Sequence, residues 1–304
     1  MITRDVAAFL ARARACARDF GPATARAAFL VSPDGFGRAA ESASDNRYMA
    51  AGDSAFDAAR ATQEHRRLQQ DLAQDVPVFC FAGLPGAPDG LFPNNVFATV
   101  PGRLVVGRMR HAVRRREAER QDIRRCFTEL MGYDECDLSA QPHPCELTGA
   151  LVIDRARGLG FCGLSERCDE AGARLMHEAF GLRATLLFDL APGEYHANVV
   201  LAVLAGHAAL LCPRGFADPD VVAAIAALYA PHALLLSSEE QAGLAGNAIA
   251  LAPGRAWMSA RAEATLSAVT RAGLEAAGFR VGSVPLDAIE AAGGSLRCCV
   301  AEVF

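Results

Sequence analysis

The chain has 304 residues, of which 52% are hydrophobic and 21% are charged, and its formal net charge is -5. This length allows one large domain or two ordinary ones, and the mild acidity argues against a general affinity for nucleic acid or for an anionic membrane. Every basic residue is an arginine, which excludes the Schiff-base, pyridoxal-phosphate and P-loop chemistries that need a lysine.

The predicted elements alternate between helix and strand, which indicates an α/β fold. In chain order they are a helix over 2–20, a strand over 28–31, a helix over 55–74, strands over 76–82 and 104–106, a helix over 115–131, a hairpin of 150–153 with 159–162, a helix over 168–180, a hairpin of 198–204 with 208–212, a helix after Asp218, strands over 248–251 and 257–258, a helix over 259–277, and strands over 279–284 and 297–303.

The ten cysteines and the N-terminal residues indicate a cytoplasmic protein. No two cysteines form a C-x-x-C pair, and cysteines in apolar runs such as Phe79-Cys80-Phe81 behave as small hydrophobes when reduced. Arginines interrupt the first 20 residues, so no secretory signal is expected. No run reaches the about 18–20 apolar residues of a membrane span.

A regular spacing links five polar residues that each open a short apolar strand. These residues are Asn94, Glu146, His196, Asn247 and Cys298, at successive intervals of 52, 50, 51 and 51 residues. Five similar units would bring these positions to one axis, as the blades of a propeller do. The alternative is a coincidence, because many polar residues precede strands.

Two sequence patterns do not predict sites. The run Gly158 to Gly163 matches G-x-G-x-x-G, but it lies along a predicted strand instead of entering a helix, so it is no dinucleotide fingerprint. No pair among the seven histidines has the spacing of metal ligands. We therefore expect neither a metal nor another cofactor.

Considered one at a time, the candidate catalytic residues have ordinary structural explanations. His196 could be a satisfied structural histidine, and Cys298 a buried packing residue. A cysteine with a distant histidine is nevertheless the minimal set for thiol nucleophilic catalysis. The run Arg114-Arg115-Arg116-Glu117 reads either as a solvated helix start or as a carboxylate clamp.

Together the motifs resemble those of the guanidino-group-modifying enzymes, or penteins, a superfamily that includes arginine deiminase, dimethylarginine dimethylaminohydrolase, succinylarginine dihydrolase and the amidinotransferases. Hydrolases of the citrulline-utilisation type are similar in length. The similarity runs from about Ala28 to Phe304. The matching segments, in order, are Ser32–Gly37 with Ser44-Asp45-Asn46, Phe92–Phe97, Arg114–Glu117, Glu146–Gly149, Gly163–Arg167, Tyr195–Asn198 and Gly293–Cys298.

The resemblance implies a fold and a domain division. Its members fold as a five-bladed α/β propeller with pseudo-fivefold repeats, in agreement with the spacing of about 51 residues. Residues 28–304 would then form a single catalytic domain, and residues 1–27 an N-terminal extension.

The resemblance also implies catalytic roles for three residues. Cys298, as a thiolate, would attack the planar carbon of the substrate. His196 would protonate the departing nitrogen and then activate water. Glu146 would hold the guanidinium nitrogens and orient His196.

Four further residues are implied in substrate binding. Arg167 and Arg114 would hold an α-carboxylate, and Asn46 would lie on a closing loop. Asn94 occupies a position where deiminases and dimethylarginine hydrolases usually carry Asp. A neutral amide can face a urea carbonyl without burying an unpaired carboxylate, so Asn94 favours an enzyme that also hydrolyses ureido groups.

The sequence thus predicts a hydrolase of C–N bonds in the guanidino or ureido group of arginine-like molecules, such as an arginine dihydrolase or a citrulline ureidohydrolase. Its partner would be a small-molecule substrate, with neither nucleic acid nor membrane involved and a homodimer as the candidate assembly. The alternative enzyme is an amidinotransferase, or an enzyme with deiminase-type activity on dimethylarginine or arginine. A catalytically inactive binding protein of the same fold is the non-enzymatic alternative, which the retained Cys298 and His196 disfavour.

Overall fold

The computed structural model describes residues 1–49 and 56–304 and has a mixed α/β architecture. The strands are β1 (Ile2–Thr3), β2 (Ala27–Val31), β3 (Val78–Phe81), β4 (Phe97–Val100), β5 (Arg103–Val106), β6 (Asp134–Asp137), β7 (Leu151–Asp154), β8 (Leu159–Leu164), β9 (Ala184–Asp189), β10 (Leu201–Leu204), β11 (Ala208–Leu211), β12 (Ala233–Leu235), β13 (Ile249–Ala252), β14 (Arg255–Ser259), β15 (Arg280–Val284) and β16 (Ala301–Val303).

The helices are α1 (Val6–Ala15), α2 (Ala40–Ala43), α3 (Ala58–Leu72), α4 (Ala112–Arg115), α5 (Gln121–Arg125), α6 (Leu147–Ala150), α7 (Glu170–Ala179), α8 (Ala197–Val200), α9 (Pro219–Tyr229), α10 (Ser238–Ala242), α11 (Ala260–Thr265), α12 (Ala268–Ala276) and α13 (Asp287–Glu290). Short 3-10 turns cover Pro93–Asn95, Arg116–Glu119, Pro213–Gly215 and Leu296–Cys299.

The strands form five small sheets with one shared pattern. Their orders are β16-β2-β3, β4-β5-β6, β7-β8-β9, β10-β11-β12 and β13-β14-β15, with β1 added beside β9. In each sheet the first strand is antiparallel to the second, and the second is parallel to the third. A parallel neighbour needs a crossover segment, and helices such as α3, α7 and α9 lie in those crossovers. The α/β prediction is confirmed, as are both predicted hairpins.

Four predicted helices differ from those observed, three of them after the N-terminal segment. The helix over 115–131 is replaced by α4, a 3-10 turn, α5 and a π-helical turn over Cys126–Leu130. The helix over 259–277 is two helices, because Ser267 begins α12 as its own N-cap, accepting from the Thr270 amide. The helix over 55–74 spans Ala58–Leu72 and begins after Asp57. Residue 55 of that prediction lies outside the described residues.

The N-terminal segment is held against the main body. Its predicted helix over 2–20 is shorter, since Asp5 caps α1 at Val6 and residues 2–3 instead form β1, which pairs with β9. Phe9 and Ala13 of α1 are buried in the largest hydrophobic cluster. Burial of such side chains is worth about 1.5–3 kcal/mol each for the larger ones, so this segment contributes to the stability of the fold.

The short turns that precede the first strands are the part of the fold that positions the site. Asn94 precedes β4, Glu146 precedes β7, His196 precedes β10, Asn247 precedes β13, and Cys298 precedes β16. All five side chains are almost fully buried.

None of the described helices is long and apolar enough to cross a membrane.

Candidate active site

Glu146 and His196 form a buried pair at the N-terminal caps of α6 and α8. The Oε2 atom of Glu146 lies 2.8 Å from Nε2 of His196, and both side chains are fully buried. The Arg110 amide donates to Oε1 of Glu146 at 3.0 Å. These contacts fix the imidazole with Nε2 towards the carboxylate. Its Nδ1 has no hydrogen-bond partner among the described residues. This nitrogen is therefore the one that is available for proton transfer.

The charges around this pair favour an ionised carboxylate beside a neutral imidazole. Burial by itself would raise the pKa of Glu146, but the Arg167 charge, the His196 hydrogen bond and the Arg114 charge together hold that pKa well below its usual range. Burial lowers the pKa of His196, and Glu146 offsets only part of that effect. The free site therefore has an imidazole that can accept a proton.

Cys298 lies in the 3-10 turn Leu296–Cys299 and is 2% exposed. Its Sγ is 3.4 Å from Nδ2 of Asn247, whose Oδ1 accepts from the Arg297 amide at 3.0 Å. Burial raises the pKa of the Cys298 thiol, although the Ser295 backbone and Asn247 hydrogen bonds oppose that shift. A thiolate here consequently needs a base or a cationic ligand beside it.

Asn95, the neighbour of the predicted Asn94, lies on the wall of the cavity that Cys298 lines. Its Oδ1 has no partner within the described part of the chain, and neither amide atom of Asn94 has one. A Cβ on Gly149 would lie 2.5 Å from Oδ1 of Asn95 and 2.8 Å from Cε1 of His196. Asn95 and the imidazole of His196 therefore both pack directly against Gly149, at a position where any larger residue would clash with them.

The cavity has a volume of about 10 Å³, which is space for about one water molecule, and the loop after α2 forms part of its wall. Asn46 on that loop donates from Nδ2 to the Gly293 carbonyl at 3.0 Å. The Tyr195 hydroxyl donates to the same carbonyl at 2.7 Å. Asn46 therefore joins the loop to the segment that carries Cys298, and its place on a closing loop stays a prediction.

Arg167 is buried beside the cavity and is bound by protein groups. Its Nε and Nη2 donate to Asp45 at 3.0 and 2.6 Å, and Nη2 also donates to the Ser42 carbonyl at 3.0 Å. Its Nη1 lies 3.5 Å from Oε2 of Glu146. Every nitrogen of this guanidinium thus faces a protein oxygen.

Arg114 has a similar environment. It donates from Nε and Nη2 to the two oxygens of Glu117 at 2.9 and 2.8 Å, and from Nη2 to the Phe92 carbonyl at 3.2 Å. Its Nη1 is 3.9 Å from Oε2 of Glu146. The alternative of a solvated helix start is therefore wrong for Arg114, because this side chain is 2% exposed.

The sequence interpretation missed the roles of two residues that line this cavity, Asn95 and Asp89, and of Asp45, which accepts from the lining residue Arg167. The sequence interpretation selected Asn94 as the binding residue instead of the adjacent Asn95. Asp89 lines the cavity and accepts from the Ser42 hydroxyl at 2.6 Å. Asp45 occupies Arg167. The acidic residues had no distinguishing pattern, since their roles depend on contacts across 47 and 122 residues of chain.

Within residues 1–49 and 56–304, no group of three or more His, Cys, Asp or Glu side chains is arranged to hold a metal ion.

Comparison with protein families gives one match over most of the chain. The model of a family described as "N,N dimethylarginine dimethylhydrolase, eukaryotic" matches residues 32–304. No curated protein matches the chain in sequence.

Several solved structures share the fold. The N-terminal domain of ArgZ, an arginine dihydrolase from the ornithine-ammonia cycle in cyanobacteria, is 20% identical with a TM-score of 0.78, over 91% of this chain and 97% of that one. Unliganded AgrE is 21% identical with a TM-score of 0.79, over 91% of this chain and 39% of that one. A dimethylarginine dimethylaminohydrolase variant bound to S-methyl-L-thiocitrulline is 19% identical with a TM-score of 0.70, over 91% and 99%. These likenesses show the mixed α/β fold of the pentein enzymes.

Proposed function

The chain belongs to the N,N-dimethylarginine dimethylhydrolase family, and from this membership we propose that it is a cysteine-dependent hydrolase of C–N bonds in guanidino or ureido groups. The observation that carries the proposal is the buried Glu146–His196 pair, whose Nδ1 has no partner in the described chain. Asn95 lies close to that imidazole across Gly149 and lines the cavity together with Cys298. One structure of the similar ArgZ holds a covalently bound reaction intermediate, which is the type of intermediate we propose here.

The first half of the reaction would use Cys298 as the nucleophile. His196 accepts the thiol proton at Nδ1, and Sγ bonds to the planar carbon of the guanidinium. The carbon–nitrogen bond to the leaving group then breaks, and the imidazolium returns its proton to that nitrogen. A thiouronium joined to Cys298 remains, and ammonia or an amine leaves.

The second half would use water in the place of the leaving group. His196 takes a proton from water, the hydroxide adds to the carbon, and the carbon–sulfur bond breaks. The departing thiolate then recovers its proton from the imidazolium, and the product releases the remaining proton of the cationic intermediate to solvent. Glu146 would stabilise the imidazolium in both halves and would hold guanidinium nitrogens, as the sequence predicts.

The amides of the site favour a ureido group as well as a guanidino group. Asn95 lines the cavity and Asn94 precedes it in the chain; both are buried and carry amide atoms without partners in the described chain. Each amide offers a donor and an acceptor, so a neutral urea can be bound without an unpaired carboxylate opposite its oxygen. Because Asn95 lines the cavity, we assign the discriminating contact to Asn95 in preference to Asn94.

We further propose that the five sheets surround one axis as propeller blades, with residues 28–304 as a single catalytic domain and residues 1–27 as an extension. Contacts between first strands support this arrangement, since β7 contacts β10, β10 contacts β13, and β16 contacts β4. The five polar residues would then lie at one end of the axis.

The test is an assay of the purified protein with guanidino and ureido compounds, following ammonia and the amine or ureido product. Cys298→Ala should lower kcat at least about 10³-fold, as removal of a nucleophile does. Cys299→Ala is the matched control, because its Sγ faces only the Ser295 carbonyl, and it should retain kcat within about threefold. Turnover in Cys298→Ala, or none in the unaltered protein, contradicts the proposal. Transfer to an added amine would instead identify an amidinotransferase.

A further inference from the structure

We propose that Asp45 selects substrates without an α-carboxylate, so that the preferred substrate is an ω-guanidinoalkylamine or ω-ureidoalkylamine instead of an α-amino acid. This inference rests on the proposed hydrolase activity and concerns the tail of the substrate only. It departs from the sequence prediction that Arg167 and Arg114 hold an α-carboxylate.

The carboxylate of Asp45 accepts hydrogen bonds from the guanidinium of Arg167 in the way that a substrate carboxylate would. Both oxygens of Asp45 accept from the guanidinium, at 3.0 and 2.6 Å. This two-bond geometry is the one by which arginine recognises carboxylates. A substrate carboxylate can reach those nitrogens only after Asp45 has left them.

Asp45 is also fixed from several directions. His111 Nε2 lies 3.2 Å from its Oδ1. The adjacent Asn46 bonds to the Gly293 carbonyl, and Ser42 of the preceding helix α2 donates to Asp89. Its own side chain is only 18% exposed. Displacing it would leave a partly buried carboxylate without its cation, which is unfavourable.

The second arginine of the cavity offers no substitute. Glu117 binds Arg114 through two hydrogen bonds in the same manner. Arg114 and Arg167 are the two cationic residues that line the cavity. Each of them therefore already has a carboxylate from the protein itself.

The balance of charge around the cavity points to a positively charged tail. Four carboxylates, those of Asp45, Asp89, Glu117 and Glu146, accompany the two guanidiniums. If Glu117 binds a proton, carboxylates still outnumber guanidiniums. Opposite charges attract strongly where water is excluded, so an ammonium at the end of the substrate is favoured and a carboxylate is disfavoured. Asp89, which lines the cavity, is the acceptor we assign to that ammonium.

The experiment compares kcat/KM for pairs of compounds that differ only in the carboxylate: arginine against agmatine, and citrulline against N-carbamoylputrescine. We expect the decarboxylated member of at least one pair to be preferred by about tenfold or more. Asp45→Asn, which cannot carry the charge, should shift that ratio towards the amino acid by about tenfold. Glu41→Gln is the control, since it removes a charge from the neighbouring helix α2 at a side chain that accepts from the Val113 amide, and it should leave the ratio unchanged.

A variant whose loop closes poorly would lose activity towards both compounds of a pair. The ratio of their kcat/KM values does not change with such a general loss, because both are measured on the same enzyme. Calorimetric binding of the same pairs to Cys298→Ser gives a second measure if Asp45→Asn is inactive. A preference for the amino acids in the unaltered protein, with turnover present, overturns the inference and leaves the hydrolase proposal intact. Absence of turnover with all four compounds and of binding by Cys298→Ser overturns both.

Discussion

The two ends of the cavity differ in how far the protein satisfies its own polar groups. At the reacting end, Nδ1 of His196 and Oδ1 of Asn95 have no partner among the described residues. At the tail end, Arg114 and Arg167 each donate twice to a protein carboxylate. Buried polar atoms are normally hydrogen-bonded. From this contrast we infer that the reacting end is arranged for a ligand with donors and acceptors of its own. At the tail end, both lining arginines of the described chain already bind protein carboxyl groups.

The largest expected effect is at the reacting end, in Glu146→Gln. The carboxylate raises the pKa of His196 against the effect of burial and would stabilise its protonated form during turnover. Its loss should lower kcat by about 10² to 10⁴-fold. The acidic limb of the kcat/KM profile should also move to lower pH, because the pKa of His196 falls further.

A pH–rate profile of Glu146→Gln checks this prediction. Glu166→Gln is the control, because Glu166 is an exposed carboxylate that pairs only with Arg110, and its profile should match that of the unaltered protein. An acidic limb that moves to higher pH in Glu146→Gln would show that the carboxylate does not act through His196.

A smaller effect is expected for the two neighbouring asparagines. Asn95→Asp should lower kcat/KM for ureido substrates by about tenfold or more relative to guanidino substrates, because the new carboxylate would oppose a carbonyl oxygen without a cation. Asn94→Asp should shift this ratio less, since Asn94 does not line the cavity. Measured ratios for both variants decide between the geometric assignment and the sequence prediction, and a larger shift in Asn94→Asp would reverse our assignment.

The smallest effect concerns stability at the tail end. Burial, reinforced by Asp89 and Glu146, raises the pKa of Glu117 from 4.5 to about 7 despite the Arg114 charge. Between those pH values the unfolded chain loses the Glu117 proton while the folded protein keeps it, so this residue lowers the free energy of unfolding as the pH rises. In Glu117→Gln that decrease should be smaller by about 1–3 kcal/mol.

Urea unfolding at pH 5 and pH 7 measures this difference. Glu119→Gln, an exposed carboxylate in the same turn, is the control and should follow the unaltered protein. An equal decrease in Glu117→Gln and in the unaltered protein would show that Glu117 is already ionised at pH 5.

The sequence predicted the repeated architecture because its signals are local. Apolar runs of four to six residues alternate with turn residues, and the spacing of about 51 residues places Glu146 and His196 before first strands, where the structure brings them to 2.8 Å. The same locality explains the failures. The helix over 115–131 has a helical pattern, but contacts of Arg114, Arg120 and Arg124 with distant carbonyls and carboxylates accompany its division into short turns.

The assignments at the tail end needed three-dimensional contacts. Arg114 and Arg167 were predicted as a carboxylate clamp because free arginines suit that role. Nothing in the order of residues shows that Glu117 and Asp45 occupy them. The choice between Asn94 and Asn95 likewise depends on which of the two adjacent side chains the 3-10 turn directs to the cavity. A sequence pattern does not distinguish between two identical neighbouring residues.

The central claim is covalent catalysis by Cys298, and the most direct measurement is trapping of the adduct. His196→Gly can be mixed at pH 9 with S-methyl isothiourea compounds carrying either tail, since methanethiolate leaves without help from an acid. Mass spectrometry of the digested protein should then find the substrate less methanethiol on the peptide that contains Cys298, and it should persist because no base activates water. An adduct on another residue, or none on Cys298 in a protein that turns over guanidino substrates, would contradict the account.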